Sequence, residues 1–281
     1  MRNNGTITLA RLGRVVRTGR LVITKRHKFI LTALFSSVAF LLTQIVVPEL
    51  RTALVLALIF VTGSFSLVSL WQDFAGVKYF ILLILPIFFA VSISLFGFLL
   101  PDNFWMKGGL VLLFGFGMYC LLLTQNIYNV AAIRTIALIR AAHAVGFIFT
   151  LLTAFFAFTV LFSFHLAFYI QSVIAFFIAF VITLVTVWTF ILEDFMPKRG
   201  LAFALAIALG VFELAWVFAF LPTSPVLASL AVTAALYVIL GLTQFYIAGR
   251  LMQKTVFEYS FVGVFVLLLI LLATSWRGVN N

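Results

Sequence analysis

Seven of the 281 residues are acidic, and six of them lie in polar connections or at the ends of apolar stretches. Glu213 is the exception, set inside the apolar stretch 201–221. A charged side chain at the centre of a bilayer costs about 2.5–3.5 kcal/mol on insertion scales, so a carboxyl here must be protonated, paired or in use. Ala202, Ala206 and Gly210 form a small-residue stripe. At about 100° per residue, Glu213 lies within about 60° of all three. Such stripes mark close helix approach, which predicts that Glu213 faces protein. Thr233 and Tyr237, at equal depth across a tight turn, are its expected hydrogen-bond partners. Two chemistries follow. One is a proton- or cation-coupling carboxylate; the other is a neutral glutamic acid, its pKa raised by burial, that joins two helices.

Little else has the types and spacing for chemistry. The three histidines fall in a basic arm (His27), a cytoplasmic connection (His143) and an external turn (His165), so they cannot converge on a metal. HExxH, GxSxG, CxxC and Walker-type patterns are absent from the sequence, and neither a catalytic residue nor a cofactor is predicted. The single cysteine, Cys120, excludes an intramolecular disulfide. His165 with Tyr169 and Gln171 makes either a small external polar cluster or a set of ordinary interface residues. The 35 phenylalanines suit lipid contact and bulky packing, and a hydrophobic ligand groove would draw on the same residues.

These groups have to be positioned by spanning helices. With 65% hydrophobic and 9% charged residues, the chain has no room for a soluble domain. Its apolar stretches run 29–47, 53–71, 79–100, 109–126, 144–163, 167–191, 201–221, 226–247 and 259–276. At about 1.5 Å per helical residue each crosses a hydrocarbon core of about 30 Å. The fold class is an all-α integral membrane protein with nine transmembrane helices.

Charge sets the expected orientation. Eight of the 18 Lys and Arg residues precede the first span, and no acidic residue appears before Glu49. Threading nine spans from a cytoplasmic N-terminus puts 15 cationic residues inside and three, Arg51, Lys107 and Arg277, outside. That asymmetry predicts a cytoplasmic N-terminus and an external C-terminus. A cleavable signal peptide fits poorly: the basic region is long, and Pro48-Glu49-Leu50-Arg51 follows the first span where small residues are needed. Within residues 8–19, Leu9, Leu12 and Val16 share one helical face opposite Arg11, Arg14 and Arg17, with Arg20 following. This is the pattern of an interfacial amphipathic helix on anionic lipid headgroups. A disordered cationic arm, encouraged by Gly13 and Gly19, is the alternative. Nucleic acid is not an expected partner, because aromatic residues for strand stacking are missing from this arm.

The chain also repeats itself. Phe29-Ile30-Leu31-Thr32 resembles Phe147-Ile148-Phe149-Thr150, and Gln72-Asp73-Phe74 resembles Glu193-Asp194-Phe195. Leu100-Pro101 resembles Leu221-Pro222, and Leu123-Thr124-Gln125 recurs as Leu242-Thr243-Gln244. The offsets stay between 118 and 121 residues. Four anchors in one order predict two parallel four-span units, residues 29–143 and 144–258, after a basic arm 1–28 and before a ninth span with a short tail, 259–281. A unit of four spans keeps its orientation when copied, so the axis relating the copies lies along the membrane normal. By analogy with such architectures the expected function is that of a carrier or permease with a path between the units. The alternative is a non-catalytic membrane-anchoring or scaffolding subunit with a membrane-protein partner, favoured by the scarcity of intramembrane charge. A lipid-modifying enzyme ranks last, for want of an acid–base cluster.

Overall fold

The computed structural model describes residues 25–70, 78–131, 137–193 and 196–274. The arginines of the arm, Arg11, Arg14, Arg17 and Arg20, lie outside the described residues, as do Asp73, Arg134, Asp194 and Trp276. The described residues form nine α-helices, each long and apolar enough to cross a membrane, and no strand. They are α1 (Lys25–Ile45), α2 (Arg51–Leu70), α3 (Lys78–Gly97), α4 (Phe104–Ala131), α5 (Ile139–Ser163), α6 (Phe168–Ile191), α7 (Lys198–Phe218), α8 (Pro225–Ile247) and α9 (Gln253–Ala273). This architecture fits a multi-pass integral membrane protein.

The helices start and stop where local chemistry demands it. Ser224 caps α8 by accepting the Leu227 N–H, and Pro225, which has no N–H to lose, takes the first helical position. Leu192 closes α6 in a left-handed conformation, φ 55°, its N–H bonded to the Trp188 carbonyl. Hydroxyls inside the apolar helices bond back to their own backbone. Thr150 donates to Gly146 O, Thr153 to Phe149 O, Thr159 to Phe155 O and Thr186 to Ile182 O, so threonine can be buried there without an orphaned hydroxyl.

Short connections make chain neighbours antiparallel. Helices α1–α4 pack as a ring in which α1 meets α2, α2 meets α3, α3 meets α4 and α4 returns to α1; α5–α8 do the same. Each ring has its own apolar core, one centred on Phe40, Leu82, Phe114 and Met118, the other on Phe158, Ile182, Val211 and Leu236. The rings meet where α3 and α4 pack on α5 and α3 reaches α6. Phe89 meets Phe149 edge-on at 5.5 Å, and Phe96 lies 4.8 Å from Phe156 across that seam. The last helix, α9, packs on α8 and leaves nearly all its surface outward.

Several sequence expectations move. The apolar and basic segment 126–143 can read as an extension of the fourth span or as a surface segment, and its start extends the span: α4 continues past 126 to Ala131. His143 is not in a connection but inside α5, half-buried, its Nε2 2.9 Å from the Thr189 carbonyl. Trp188 is no interface indole: it is fully buried and donates Nε1–H to the Glu193 carbonyl. At the opposite end Lys107 donates to Gln44 O at 3.0 Å and pairs with Asp102, tying α1 to α4. The Lys107 hydrogen bond and charge hold the Asp102 carboxyl below its ordinary 3.8. A lowered carboxyl pKa makes this pair complete at neutral pH and loses it only as pH falls through that lowered value.

Candidate functional site

Glu213 does not face the bundle interior. Its side chain is exposed, and it makes no hydrogen bond or ion pair among the described residues. The buried face of α7 is a different small-residue stripe: Gly200, Ala204, Ile207, Ala208, Val211 and Ala215. At about 100° per residue Glu213 stands about 170° from the middle of that face. Ala202 and Ala206 are exposed, and nothing lies within 4 Å of where a Gly210 Cβ would be. Two stripes, offset by two residues, were present on one helix, and the closely packed α6 takes the other one. Thr233 is buried, yet its hydroxyl has no hydrogen-bond partner, so it does not hold Glu213. Tyr237 stacks on Tyr259 of α9 at 5.1 Å and leans on Phe147 of α5 at 5.8 Å, neither of them on α7. The expected Glu213–Thr233–Tyr237 cluster is not assembled.

A polar group that the sequence reading passed over lies inside the first ring. Gln125 and Asn129, one turn apart on α4, are fully buried, and all four of their amide atoms lack hydrogen-bond partners; the buried Ser66 hydroxyl of α2 is also unpartnered. At about 100° per residue Gln125 falls within about 20° of Phe114. The Phe114 ring, three turns away on that face, stacks on Phe40 of α1 at 4.7 Å and on Phe89 of α3 at 5.8 Å. Gln125 was noticed in sequence only as a repeat anchor. Its counterpart Gln244 is half-buried.

A cavity lies between the two rings. A cleft of ≈ 620 Å³ opens among Ile59 of α2, Ile87, Phe88, Val91, Ser92 and Leu95 of α3, Ala157, Val160 and Leu161 of α5, and Ile174 and Ile178 of α6, with Phe164 and Leu166 at one end. Ser92 is the single polar side chain of the thirteen that line it. The small Ala157 opposite Phe88 and Val91 leaves the space, while the Phe89–Phe149 and Phe96–Phe156 contacts keep the helices from closing on it. The volume is in the range of ligand pockets, about 300–1,000 Å³, and the lining suits a hydrocarbon chain rather than a polar solute. The Ser92 hydroxyl is the one hydrogen-bonding side chain in the lining. Among the described residues no cluster of His, Cys, Asp or Glu is placed to hold a metal ion.

The external trio divides. His165 adopts φ 48° at the turn between α5 and α6, its Nδ1 bonded to the Ser163 carbonyl at 2.9 Å. His165 and Gln171 line a second, smaller pocket that shares Leu166 with the apolar cleft. Tyr169 is exposed and does not line it.

Residues 72–273 match the family described as Protein of unknown function (DUF5656), and the chain belongs to that family. The matched region takes in both rings except α1 and α2, and includes every helix that lines the cleft but α2. Neither a curated protein nor a solved structure matches the chain.

Proposed function

We propose that this protein is a membrane carrier for a molecule with a long apolar chain, which it holds in the cleft between two parallel four-span units. The ≈ 620 Å³ cleft with its single hydroxyl is the observation that carries this reading. It sits where a path between units was expected, and its lining selects hydrocarbon. Among the described residues every buried polar side chain is uncharged, which argues against a bare inorganic ion as cargo.

The duplication that frames the cleft is supported by three observations. Both rings close in the same neighbour order. The ends of α3 and α7 carry the same bonds, Leu99 N–H to Phe96 O and Leu100 to Gly97 in one, Phe220 to Val217 and Leu221 to Phe218 in the other. And α9 packs on α8 as α5 packs on α4, as the start of a third unit would. Orientation follows from charge. Of the eleven Lys and Arg among the described residues, nine lie at the end of the bundle where α1 begins and two, Arg51 and Lys107, at the other. That bias supports an N-terminus in the cytoplasm and a C-terminus outside. Reporter fusions at Lys198 and Asn281 should report opposite sides; matching sides would remove the topology.

The cargo is tested by reconstituting the chain with a photoreactive long-chain fatty acid. Labelling concentrated in α3, α5 and α6 is the expected result, with accelerated exchange of a fluorescent fatty acid between leaflets of the same vesicles. Labelling spread evenly over the outward faces of all helices would leave the cleft as ordinary lipid contact and the reading without support.

The second reading, a membrane-anchoring or scaffolding subunit, is favoured by the unpaired outward carboxyl of Glu213, which a donor on a partner helix would satisfy. Under it, Glu213→Leu leaves the unfolding of the purified chain within about 0.5 kcal/mol of the parent. A photocrosslinker at Ala206 then joins the chain to a second protein in native membranes, and Glu213→Leu abolishes the product. A Glu213→Leu chain that unfolds by several kcal/mol more easily would show instead that the carboxyl works inside the fold.

A further inference from the structure

The smaller pocket, ≈ 280 Å³, lies at the end of the bundle away from Lys25, and Leu166 borders both it and the apolar cleft. Its lining differs in kind: His165, Gln171 and Thr223 stand among Phe168, Phe218 and Pro225. Two long helices begin here, α6 at Phe168 and α8 at Pro225. Ala167 gives no side-chain cap to the first-turn amides of α6, so those N–H groups keep the partial positive charge of a helix start. The helices that end here offset this little, because their last carbonyls are taken up. Phe164 and His165 N–H cap α5, and Ala219, Phe220 and Leu221 N–H cap α7. Acidic side chains are absent from the lining.

Gln171 supplies the independent sign of a ligand. It is only 6% exposed, it lines the pocket, and its amide makes no hydrogen bond among the described residues. The residue is buried on every side but the pocket, so a ligand atom there is the partner its amide can reach. His165 adds a second group. Its left-handed backbone is an unfavourable conformation for a residue with a Cβ, and the ring is anchored by Nδ1–H donating to Ser163 O, which leaves Nε2 to accept from a protonated headgroup oxygen.

We infer that this pocket receives the anionic headgroup, a phosphate or a carboxylate, of an amphiphile whose chain lies in the adjoining cleft. The Gln171 amide and the uncapped amides of α6 donate to its oxygens, with Thr223 as a third donor; the two helix starts favour its charge. The inference rests on the carrier reading for the chain and on this pocket alone for the head.

The test uses the full chain in maltoside micelles with hexadecyl phosphate, hexadecanol and inorganic phosphate as probes, bound ligand being counted by native mass spectrometry. The two hexadecyl compounds share a chain, so their difference reports the headgroup. The parent protein should prefer the phosphate by about tenfold, as one charge-assisted hydrogen bond to a desolvated group implies. Gln171→Glu, which sets a like charge against the head, should bring the two ligands within about twofold. Gln171→Leu, an apolar side chain of similar size, should reduce the preference without dependence on charge, and its unfolding temperature verifies the fold. Equal binding of both hexadecyl ligands to the parent overturns the headgroup site and leaves the cleft standing. Failure of both to bind overturns the cleft reading as well. Inorganic phosphate that binds as tightly as hexadecyl phosphate, with Gln171→Glu abolishing both, identifies a free-anion site and overturns the amphiphile.

Discussion

Ala157→Trp is expected to leave the bundle folded and to exclude a long-chain ligand from the cleft between the rings, lowering photolabelling of α3, α5 and α6 by at least about tenfold. Ala157 is 9% exposed and lines the cleft opposite Phe88 and Val91. An indole built there occupies open space rather than a packed core, so the overpacking cost of about 1–3 kcal/mol seen in full cores is largely avoided. A chain that displaced the indole would have to supply at least about 1.4 kcal/mol for each tenfold of occupancy. It has little to spend, since exchanging lipid tails for an apolar cleft yields only packing energy and no transfer from water. Labelling of α9, which faces outward along nearly all its length, should be unchanged and serves as the internal control. If cleft and α9 labelling fall together, or neither falls, the cleft is not where the ligand sits.

Gly146→Ala is expected to destabilise the junction of the rings by about 1–3 kcal/mol, and Tyr128→Phe to offset part of that loss. Tyr128 of α4 is 1% exposed and donates its hydroxyl to the Ala142 carbonyl of α5 at 2.8 Å. A Cβ on Gly146 would collide with that hydroxyl, whereas the nearest ring carbons would stand 3.2 Å away. Removing the hydroxyl costs about 1 kcal/mol through the lost hydrogen bond but relieves the collision, leaving the ring in tight contact with the methyl group. The double variant should therefore be more stable than the sum of the single changes by at least about 0.5 kcal/mol, measured as thermal or denaturant unfolding in micelles. Strict additivity would mean that α4 and α5 adjust around Gly146 and that the close approach is incidental.

How much was legible in sequence varied with the kind of signal. Helix number and approximate position were plain, because each span must be about twenty apolar residues long wherever its neighbours lie. The ends were less so. α4 runs on to Ala131 because Tyr128 and Asn129 are buried against other helices, and a hydropathy window reads their polar atoms as the end of a span. Glu213 shows a deeper limit. Small-residue stripes Ala202-Ala206-Gly210 and Gly200-Ala204-Ala208 both met the rule for close approach, and nothing local distinguishes them. Gln125 and Asn129 were overlooked for the opposite reason: amides near a span end look like interface residues until a third and fourth helix close over them.

The amino-acid sequence by itself determined the class of the molecule, since continuous apolar stretches can bury their backbone polar groups in a membrane only as helices. It also determined the biased charge and the recurring anchors from which the topology and the two units are proposed. Which face of each helix turns inward was decided by the tertiary structure alone. In an apolar environment both faces of a span are hydrophobic, so the amphipathic pattern that orients a helix in a water-soluble protein is missing. Packing of α6 on α7 sent Glu213 outward, and the spacing of α3 from α5 and α6 opened the cleft beside Ala157. Both outcomes depend on contacts between distant residues, and neither leaves a period in the sequence.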